Sequence, residues 1–570
     1  MRKGNKIILI MGIITISLLI TYTIYSNSHN EGITLKRIPK TKQVSLSWDL
    51  IIIAQVIFLS IYWSKPAFIN KVEGLFQLEY FALNRGFSSN GFYDHQRKGI
   101  KYLFMKKNIF VVTPTNSGKS LLGYITLWNS VVKRKVGVYL VPTTELLKEQ
   151  MVLLREFFGP EVRLIRLSGE LKPTVKEIKE AKGKLIIIGT YEAFRSFLFS
   201  VQNKYYFKSK RIFGGVVIDE IHNINTPIRG PKLESLIYKL QKEHHPQLCF
   251  LSATFNRKSA RYWASRFKAK LILLPHKRNF ILGETVTKST TRYAEKSDLV
   301  YKFCNRMINN LIGGDELPDS AEIESKHLLI FCFSRRAAER LTDDINFYLQ
   351  LKVAFLGDKW SCGYIHAGLD EYTKNSNIET FKKPEGVRIL CCSPILEAGI
   401  DIRDVNSILI TDAELYTGIE LNQMVGRIRA ETGTVTHFVL AKSKKDFDKK
   451  LIRDKNDTKI FYGYKMEVIN SRIGLKEVKQ LILERLFRSM ASLEGIKASL
   501  KTILHPKKYK LCRDRIPKYL RKLKANQFIR ENKGKFGLTF IGEACVENQL
   551  DIKFAKKFIK FLEKKHKPSG

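Results

Sequence analysis

Short runs of continuously apolar residues alternate with longer amphipathic stretches through most of this chain of 570 residues. The runs that predict strands lie at 184–189, 213–218, 247–252, 328–333, 387–392, 407–410 and 436–440. Strands that are apolar on both faces are typical of a parallel sheet with helices on each side. Because the runs fall into two successive sets, we expect an α/β protein with two tandem doubly wound domains, over residues 67–275 and 276–465.

From about residue 466 onwards, Lys-rich amphipathic stretches replace the apolar strands. Residues 516–525 predict a helix, and residues 528–540 predict two short strands around a Gly-containing turn. A helix followed by a two-stranded wing is typical of a winged-helix domain. The sequence therefore predicts a helical and winged-helix domain over residues 466–570.

The amino-terminal region has a different composition. Residues 7–25 carry no charged side chain and are long enough to span a bilayer as a helix. A second apolar run at 48–63 is too short to be assigned by its length, and a second span, an interfacial helix and a core helix all remain open. We therefore expect a membrane anchor over residues 1–66, with one or two transmembrane helices. Basic residues flank the first run on both sides, so the charge distribution does not decide the number of spans.

An apolar strand at 109–112 leads directly into a Gly-Lys-Ser turn, the pattern of a loop that binds nucleotide phosphates. Backbone N–H groups of such a loop surround the phosphate oxygens, and the following helix directs its positive dipole end at them. Lys119 would reach the β and γ phosphates, and the Ser120 hydroxyl would hold Mg²⁺. The candidate ATP-binding residues of this loop are Thr113, Pro114, Thr115, Asn116, Ser117, Gly118, Lys119 and Ser120.

Residues 216–222, with the sequence V-V-I-D-E-I-H, place two adjacent carboxylates at the end of a predicted strand. Asp219 is expected to hold Mg²⁺ together with Ser120, and Glu220 is expected to act as the base that activates the attacking water. The residues expected to couple this site to the rest of the domain are His222, Ser252 and Thr254.

These motifs, in this order, resemble the superfamily 2 DExH-box helicases. Residues 216–240, in which D-E-I-H is followed by R-G-P-K-L-E, are similar to the Ski-like branch, and in particular to archaeal fork-repair DNA helicases and the helicase domains of theta-type polymerases. The resemblance covers residues 68–570. It implies that both doubly wound domains are RecA-like, that the first binds ATP and that Mg²⁺ is required.

The resemblance also assigns roles outside the phosphate loop. Gln96, in F-Y-D-H-Q, would read the adenine edge. Pro142 and Thr143, in Y-L-V-P-T, and Thr190, in G-T-Y-E, would contact the nucleic-acid backbone. The residues implied in the second domain are Ser334, Arg335 and Ser393 for nucleic acid, Gly399, Asp401 and Gln423 for ATP, and Arg427 and Arg429 as catalytic contacts to the γ-phosphate. Arg429 is displaced by one residue from the family pattern Q-x-x-G-R-x-G-R, which predicts slow turnover.

The formal net charge of +44 indicates a polyanionic partner, although a Lys-rich genome would also produce basic composition. The eight cysteines form no C-x-x-C pair and predict buried, reduced thiols.

We expect an ATP-dependent helicase or single-strand translocase that moves 3′ to 5′ on single-stranded or tailed DNA. It would be held at the membrane with its helicase domains in the cytoplasm. The alternatives are an RNA helicase and a membrane-anchored nucleic-acid sensor or scaffold that uses ATP as a slow switch.

Overall fold

The computed structural model describes the chain between residues 92 and 565, with internal gaps. The described residues are 92–114, 117–167, 177–178, 184–200, 212–274, 280–289, 293–311, 326–353, 360–393, 405–428, 433–454, 457, 459–487 and 489–565. The anchor predicted over residues 1–66, with its spans at 7–25 and 48–63, lies outside them. Within these ranges, no helix combines the length and the apolar character that crossing a bilayer requires.

A parallel sheet with the strand order β3-β4-β2-β5-β6-β1-β7 forms the first lobe, residues 92–274. Its strands are β1 (Asn108–Val112), β2 (Val136–Val141), β3 (Arg163–Leu167), β4 (Leu185–Thr190), β5 (Phe213–Ile218), β6 (Gln247–Ser252) and β7 (Ala269–Leu273). Its helices are α1 (Asp94–Phe104), α2 (Ser120–Val132), α3 (Thr144–Phe158), α4 (Tyr191–Leu198), α5 (Arg229–Lys239) and α6 (Arg257–Arg266). A 3₁₀ helix (Ile221–Asn225) follows β5, and a π-helical turn (Leu240–His244) continues α5.

Helices cover both faces of this sheet because its strands are apolar on both sides. Every residue of β2 and of β6 is buried. Ile125 of α2 and Leu147 of α3 pack in the core on one face, and Phe194 of α4, Leu236 of α5 and Trp263 of α6 pack in the core on the other. Parallel strands direct their carboxyl ends to one edge of the sheet, so the loops after β1, β2, β4, β5 and β6 meet there.

The second lobe, residues 280–464, contains a sheet with the order β10-β11-β9-β12-β13-β8-β15-β14. Its strands are β8 (Phe280–Lys288), β9 (Lys326–Phe331), β10 (Trp360–Ile365), β11 (Val387–Cys392), β12 (Ser407–Ile410), β13 (Thr434–Leu440), β14 (Leu451–Arg453) and β15 (Ile460–Tyr464). Its helices are α7 (Tyr293–Leu311), α8 (Arg335–Val353), α9 (Glu371–Phe381), α10 (Gly418–Val425) and α11 (Lys444–Asp448). The strands from β10 to β8 are parallel, and β15 and β14 add an antiparallel edge. The prediction of two tandem parallel-sheet lobes is confirmed.

The C-terminal segment, residues 475–565, consists mainly of helices with a small antiparallel sheet in the order β16-β18-β17. Its helices are α12 (Val478–Leu486), α13 (Leu493–Ile503), α14 (Pro506–Cys512), α15 (Ile516–Ala525), α16 (Phe540–Glu547) and α17 (Ile552–Lys565). Its strands are β16 (Ala491–Ser492), β17 (Ile529–Asn532) and β18 (Lys535–Leu538). Ile482, Leu520 and Phe528 belong to the same apolar core as Trp263, so the segment packs on the α4–α6 face of the first lobe.

A strap, residues 466–473, connects the second lobe to the C-terminal segment and lies along the first lobe. The indole Nε1 of Trp263 donates to the Ile469 carbonyl at 2.9 Å, and the Ile469 N–H donates to Ser259 Oγ at 2.8 Å. Ser471 Oγ donates to a carboxylate oxygen of Glu234 at 2.7 Å. These bonds and the buried Trp263 attach the strap firmly to α5 and α6.

Candidate nucleotide site and strand-facing surface

The loop after β1 bends at Gly118, whose φ of 71° falls in the left-handed region that glycine adopts without strain. The Ser117 hydroxyl donates to Thr113 Oγ1 at 2.7 Å and closes the loop on itself. Helix α1 supports the loop from behind, because the Gln96 amide donates to the Gly118 carbonyl at 3.0 Å and His95 Nε2 lies 2.9 Å from the Ser117 carbonyl. The predicted residues Pro114, Lys119 and Ser120 lie on the same loop, while Thr115 and Asn116 lie outside the described residues.

Gln96 is therefore adjacent to the phosphate loop, as its predicted role at the nucleotide requires. His95, which the sequence did not single out, is its neighbour in F-Y-D-H-Q. Burial is the main cause that lowers the pKa of His95, and the bond to Ser117 opposes it. The ring is consequently a neutral support for the loop at ordinary pH.

Asp219 and Glu220 follow β5 directly and face the phosphate loop. Lys119 Nζ lies 3.4 Å from Glu220 Oε1. The Tyr139 hydroxyl donates to Asp219 Oδ2 at 2.7 Å, and the Glu220 N–H donates to Asp219 Oδ1 at 2.9 Å. Glu220 has φ 47° and ψ 48°, the left-handed region that a non-glycine residue rarely adopts, and this backbone turn directs its side chain back towards Lys119.

Burial shifts the pKa values of these three groups in ways that their neighbours then modify. Burial, and after it the charge of Glu220, raises the pKa of Asp219 to about 6. Burial would also raise the pKa of Glu220, but the charge of Lys119 and the contact with His222 outweigh burial and hold that pKa well below its usual range. The carboxylates likewise outweigh burial at Lys119 and raise its pKa. A cation and a carboxylate are thus paired at this site, and Asp219 is a buried acid that ionises near pH 6.

Two tyrosines that the sequence did not identify hold Asp219 in place. Tyr139 lies in β2, which pairs with β5 so that Tyr139 is opposite Val217. Its hydroxyl bonds the Asp219 carboxylate, and the Tyr191 hydroxyl donates to the Asp219 carbonyl. Burial, followed by the charge of Asp219, raises the pKa of both phenols, so both remain donors. Tyr139 was visible as the first residue of Y-L-V-P-T, but its contact depends on the strand order.

His222 joins the carboxylate pair to the second lobe. The Gln423 amide nitrogen lies 3.0 Å from His222 Nε2, which therefore accepts, and the ring proton is on Nδ1. Nδ1 lies 3.1 Å from Glu220 Oε2 and 3.2 Å from Ser252 Oγ. Ser252 Oγ also accepts from the Thr254 N–H at 3.2 Å. The structure thus brings together all three residues predicted to couple the site, together with Gln423.

Arg427 follows α10 and acts on the same site. Its positive charge is among the influences on the pKa of Lys119, where it opposes the effect of Glu220 and Asp219. Arg427 is therefore on the nucleotide side of the second lobe. The other predicted residues of this part of the second lobe, Gly399, Asp401 and Arg429, lie outside the described residues.

The oxygen atoms of Ser120 and Asp219 are hard ligands of the kind that Mg²⁺ prefers. Among the described residues, no group of three or more His, Cys, Asp or Glu side chains could hold a metal ion by itself. Two protein oxygens suit a magnesium ion that shares its remaining ligands with phosphate and water. All eight cysteines are free and seven are buried; burial raises the pKa of Cys249 and Cys304, whereas at Cys391 hydrogen bonds from Cys332 and Cys362 outweigh burial and lower the pKa.

Three of the predicted strand-contacting residues are the N-caps of helices at the carboxyl edges of the two sheets. Thr143 Oγ1 accepts from the Leu146 N–H at the start of α3, and Thr190 Oγ1 accepts from the Ala193 N–H at the start of α4. In the second lobe, Ser334 Oγ accepts from the Ala337 N–H at the start of α8. Helix amino termini carry unpaired backbone N–H groups and positive partial charge, so each can donate hydrogen bonds to a phosphate oxygen.

The remaining predicted strand contacts differ in exposure. Arg335, in the first turn of α8, is exposed. Pro142 is buried beneath Thr143. Ser393 is buried after β11, where its N–H donates to the Ile365 carbonyl at 3.1 Å. Arg335 is therefore available to a ligand directly, whereas Pro142 and Ser393 are buried.

Two ion pairs, one exposed and one partly buried, connect the lobes beside this surface. Lys148 of α3 pairs with Glu371 of α9, and Lys374 of α9 lies 3.7 Å from Glu145 of α3. Both pairs lie within the first two turns of α3, next to its N-cap. The two lobes thus meet through polar contacts near Thr143 and through the bond between Gln423 and His222 at the nucleotide site.

Two protein-family models match the chain. The DEAD/DEAH box helicase model matches residues 93–262, and the helicase conserved C-terminal domain model matches residues 308–431. These ranges contain all the motif residues of the two lobes. The chain therefore contains both parts of the motor that these two families describe.

Curated relatives agree with this match. The ATP-dependent DNA helicase Hel308 of Thermoplasma volcanium is 26% identical over 379 residues, which are 60% of this chain and 51% of that protein. The pre-mRNA-processing ATP-dependent RNA helicase PRP5 of Meyerozyma guilliermondii is 24% identical over 328 residues, covering 56% of this chain and 36% of that protein. The chain spans about half the length of the Hel308 relatives that it matches.

Solved structures share the fold. The helicase Lhr of Mycobacterium smegmatis, bound to single-stranded DNA and AMP-PNP, has a TM-score of 0.56 at 15% identity and covers 82% of this chain and 61% of its own. The DUF1998 helicase MrfA bound to DNA has a TM-score of 0.57 at 16% identity, with coverage of 83% and 64%. Both similarities concern the fold of the chain.

Proposed function

From the premise that this chain contains the ATP-hydrolysing motor of a DEAD/DEAH box helicase, we propose that it is an ATP-dependent helicase or translocase that moves 3′ to 5′ along single-stranded DNA. The observation that carries the proposal is the set of contacts centred on His222. One imidazole contacts the expected base Glu220, the coupling residue Ser252 and Gln423 of the other lobe. A change at the nucleotide is thereby transmitted to the contact between the lobes.

The residues of the site suit hydrolysis of a nucleotide held with Mg²⁺. Lys119 and the N–H groups at the start of α2 would bind the phosphates, while Ser120 and Asp219 would hold the metal ion. A bound Mg²⁺ neutralises phosphate charge and helps to orient the γ-phosphate. Glu220 would accept a proton from the attacking water at its carboxylate, and Arg427 would stabilise the charge that develops on the phosphate.

The pairing of Glu220 with Lys119 indicates how the base is kept weak until nucleotide binds. Lys119 is the partner that most lowers the pKa of Glu220, so the carboxylate is a weak base in this state. When Lys119 binds substrate phosphates instead, Glu220 loses that partner and its basicity rises. Binding of the nucleotide would therefore activate Glu220, the base that its hydrolysis requires.

The three helix N-caps support the proposed strand path. Thr143 and Thr190 on the first lobe and Ser334 on the second are at the ends of helices whose N–H groups can bind successive phosphates. Contacts of this kind position a backbone and carry no base specificity. Relatives that are DNA helicases favour DNA over RNA. The RNA helicase among the relatives keeps RNA as the alternative substrate.

Steady-state ATPase measurements with and without nucleic acid test the proposal. We expect single-stranded DNA to stimulate hydrolysis and Lys119→Ala to abolish it while leaving DNA binding largely unchanged, because phosphate and strand use different surfaces. Lys442→Ala, at an exposed lysine of the second lobe, is the matched control. Stimulation by RNA alone would assign an RNA helicase. Slow hydrolysis that no nucleic acid stimulates would support the sensor or scaffold instead.

The C-terminal segment is proposed to be a winged helix. Helices α13 and α15 precede the hairpin of β17 and β18, which turns at Lys533 and Gly534. The hairpin would be the wing, and α15, with Lys518, Lys522 and Lys524, carries a basic surface that suits nucleic acid. In this arrangement the segment would hold the strand beside the first lobe.

The enzyme is further proposed to be tethered to a membrane by residues 1–66, with both lobes in the cytoplasm. The support is the uncharged stretch 7–25 and the second apolar run at 48–63. We expect the full chain to require detergent for extraction from membranes, and the chain without residues 1–66 to be extracted without it and to retain ATPase activity. Extraction of the full chain by high salt alone would contradict the tether.

A further inference from the structure

A cavity of about 760 Å³ lies between the first lobe and the C-terminal segment. Its walls come from the end of α5 and the π-helical turn, from the end of α6, and from α12 and α13. Asn108, the first residue of β1, and Pro246, just before β6, also line it. The cavity is therefore at the amino-terminal edge of the first sheet. The nucleotide site is at the opposite, carboxyl-terminal edge, so the two sites are separate.

Five of the residues that line this cavity are lysines or arginines, and two are glutamates. The five cations are Lys239, Lys242, Arg266, Lys268 and Arg485. Lys239 pairs with Glu243 at 3.1 Å, and Arg266 pairs with Glu234 at 2.9 Å. In the part of the chain that the structure describes, no carboxylate lies within ion-pair distance of the other three.

The two glutamates on the wall are already engaged. Glu243 pairs with Lys239, and Glu484 pairs with the buried Arg195. The charge of Glu243 also acts on Lys242, so this carboxylate is shared between two lysines, and Glu484 remains with Arg195. The cavity therefore carries a positive charge that the described residues do not compensate.

Two of the unpaired cations act on each other from opposite walls. Lys242 is in the π-helical turn of the first lobe, and Arg485 is in α12 of the C-terminal segment. Burial lowers the pKa of Lys242, the charge of Arg485 lowers it further, and the charge of Glu243 opposes both in part. The Nε of Arg485 is buried and has no hydrogen-bond partner among the described residues. Like charges held together in a partly buried place cost free energy that an anion between them would remove.

Two helical segments end at the wall of the cavity. His245, which lines the cavity, has φ 48°, and Lys268 has φ 51°, both in the left-handed region although neither is glycine. The turn that carries Lys242 is π-helical. Left-handed residues commonly end helices, and here His245 ends the π-helical turn and Lys268 follows α6. These helix ends place Lys242 and Lys268 on the cavity wall together with Arg485.

We propose that this cavity binds a small phosphate-bearing anion with two or more negative charges. Three cations without carboxylate partners match that charge, and phosphate oxygens form strong charge-assisted hydrogen bonds with Lys and Arg. The volume is within the range of small-molecule sites, and helices border it on both the lobe and the C-terminal sides, which favours a compact ligand over a continuous strand. The occupant would connect the C-terminal segment to the first lobe and stabilise their contact.

Calorimetric titration with inorganic tripolyphosphate tests the site. The full chain carries Lys119→Ala throughout, so that the phosphate loop competes weakly for the probe. We expect Lys242→Gln and Arg485→Gln each to weaken binding about ten-fold, because each removes a charged hydrogen-bond donor. Lys442→Gln, which removes an exposed charge from the second lobe, should leave the affinity within about two-fold.

Thermal unfolding without probe excludes a trivial loss of structure. Since each substitution removes one of two mutually repelling charges, Lys242→Gln and Arg485→Gln should unfold no lower than the parent. Equal affinities in all variants would overturn the proposal. Displacement of tripolyphosphate by a single-stranded oligonucleotide from the parent, but not from the cavity variants, would assign the cavity to the strand path and refute a small ligand. Because hydrolysis is not measured, the result is independent of the proposed function.

Discussion

At the scale of single residues, the pKa values of the two adjacent carboxylates after β5 are shifted in opposite directions. Asp219 is buried and bonded by Tyr139, and its pKa is raised to about 6, whereas the pKa of Glu220 is lowered by Lys119 and His222. The difference follows from partners, since only Glu220 is paired with a cation. One carboxylate is thus able to lose its charge near neutral pH while the other keeps it.

The raised pKa of Asp219 predicts an acid limit for nucleotide binding, that is, a pH below which the affinity for ATP falls. A metal ligand must be ionised, so Mg²⁺-dependent ATP affinity should fall as the pH decreases through about 6. The Tyr139 hydroxyl stabilises the ionised form, and its hydrogen bond opposes the rise in pKa. Tyr139→Phe should therefore raise the pKa of Asp219 and move the midpoint of the acid limit upward by about one pH unit. Titration of a fluorescent ATP analogue at pH values from about 5 to about 8 measures the midpoints of the parent and of Tyr139→Phe.

Tyr124→Phe is the matched control, because it removes a buried phenol hydroxyl that donates to Gln150 and leaves Asp219 bonded. Its midpoint should equal that of the parent. Coincident midpoints for Tyr139→Phe and Tyr124→Phe would mean that the Tyr139 bond does not govern the ionisation of Asp219.

Local sequence motifs identified many of the candidate site residues, but the residues that contact them could be identified only from the fold. Lys119, Asp219 and Glu220 could be chosen because a Gly-Lys-Ser turn and a D-E pair each follow an apolar strand. Tyr139 could not be chosen, because its contact requires β2 to lie beside β5. Sequence spacing does not reveal which strands are neighbours in a doubly wound sheet.

At the scale of elements, α12 is attached to the first lobe by a buried ion pair. Glu484 of α12 pairs with Arg195 of α4 and accepts from the Ser235 hydroxyl of α5. Both charged side chains are almost completely buried. One carboxylate therefore holds α12 to two helices of the lobe.

Removing that charge should weaken the attachment of the C-terminal segment. Glu484→Gln keeps the size of the side chain but leaves Arg195 buried without a counter-charge, and breaking such a pair costs about 3–5 kcal/mol. Thermal and denaturant unfolding should show a clear loss of stability. Glu494→Gln, at the exposed pair with Lys497, should have little effect. Equal losses for the two variants would show that the buried pair is not what holds α12.

Element bounds were largely predictable, while their arrangement was not. Helix α15 has the predicted bounds 516–525, and β5, β6, β11 and β12 have the bounds of the predicted apolar runs. Continuous apolar runs and helical periodicity are local properties of the chain. The strap and the joint core of the first lobe and the C-terminal segment depend on contacts between residues far apart in sequence, such as Trp263 with Ile469.

At the scale of the whole molecule, the formal charge of +44 bears on the proposed binding to nucleic acid. Each phosphate that a protein neutralises on a single strand contributes a slope of about −0.7 to the logarithm of affinity against the logarithm of salt concentration. With four or more phosphates bound, we expect a slope of about −3 or steeper. Fluorescence anisotropy with a labelled single strand at several potassium chloride concentrations measures it. A flat response would mean that the basic excess is compositional.

The contacts between the lobes are of unequal strength, and this gives the molecule a hinge. The strap is fixed to α5 and α6 by buried hydrogen bonds, whereas α3 and α9 meet through one exposed and one partly buried ion pair. Helix α6 packs near β1 and β7, and α3 packs near β3 and β4, so the two attachments are towards opposite edges of the first sheet. Exposed pairs resist separation weakly and salt weakens them further. The weaker attachment therefore lies on the side of α3, and we expect the lobes to separate there first, beside Thr143.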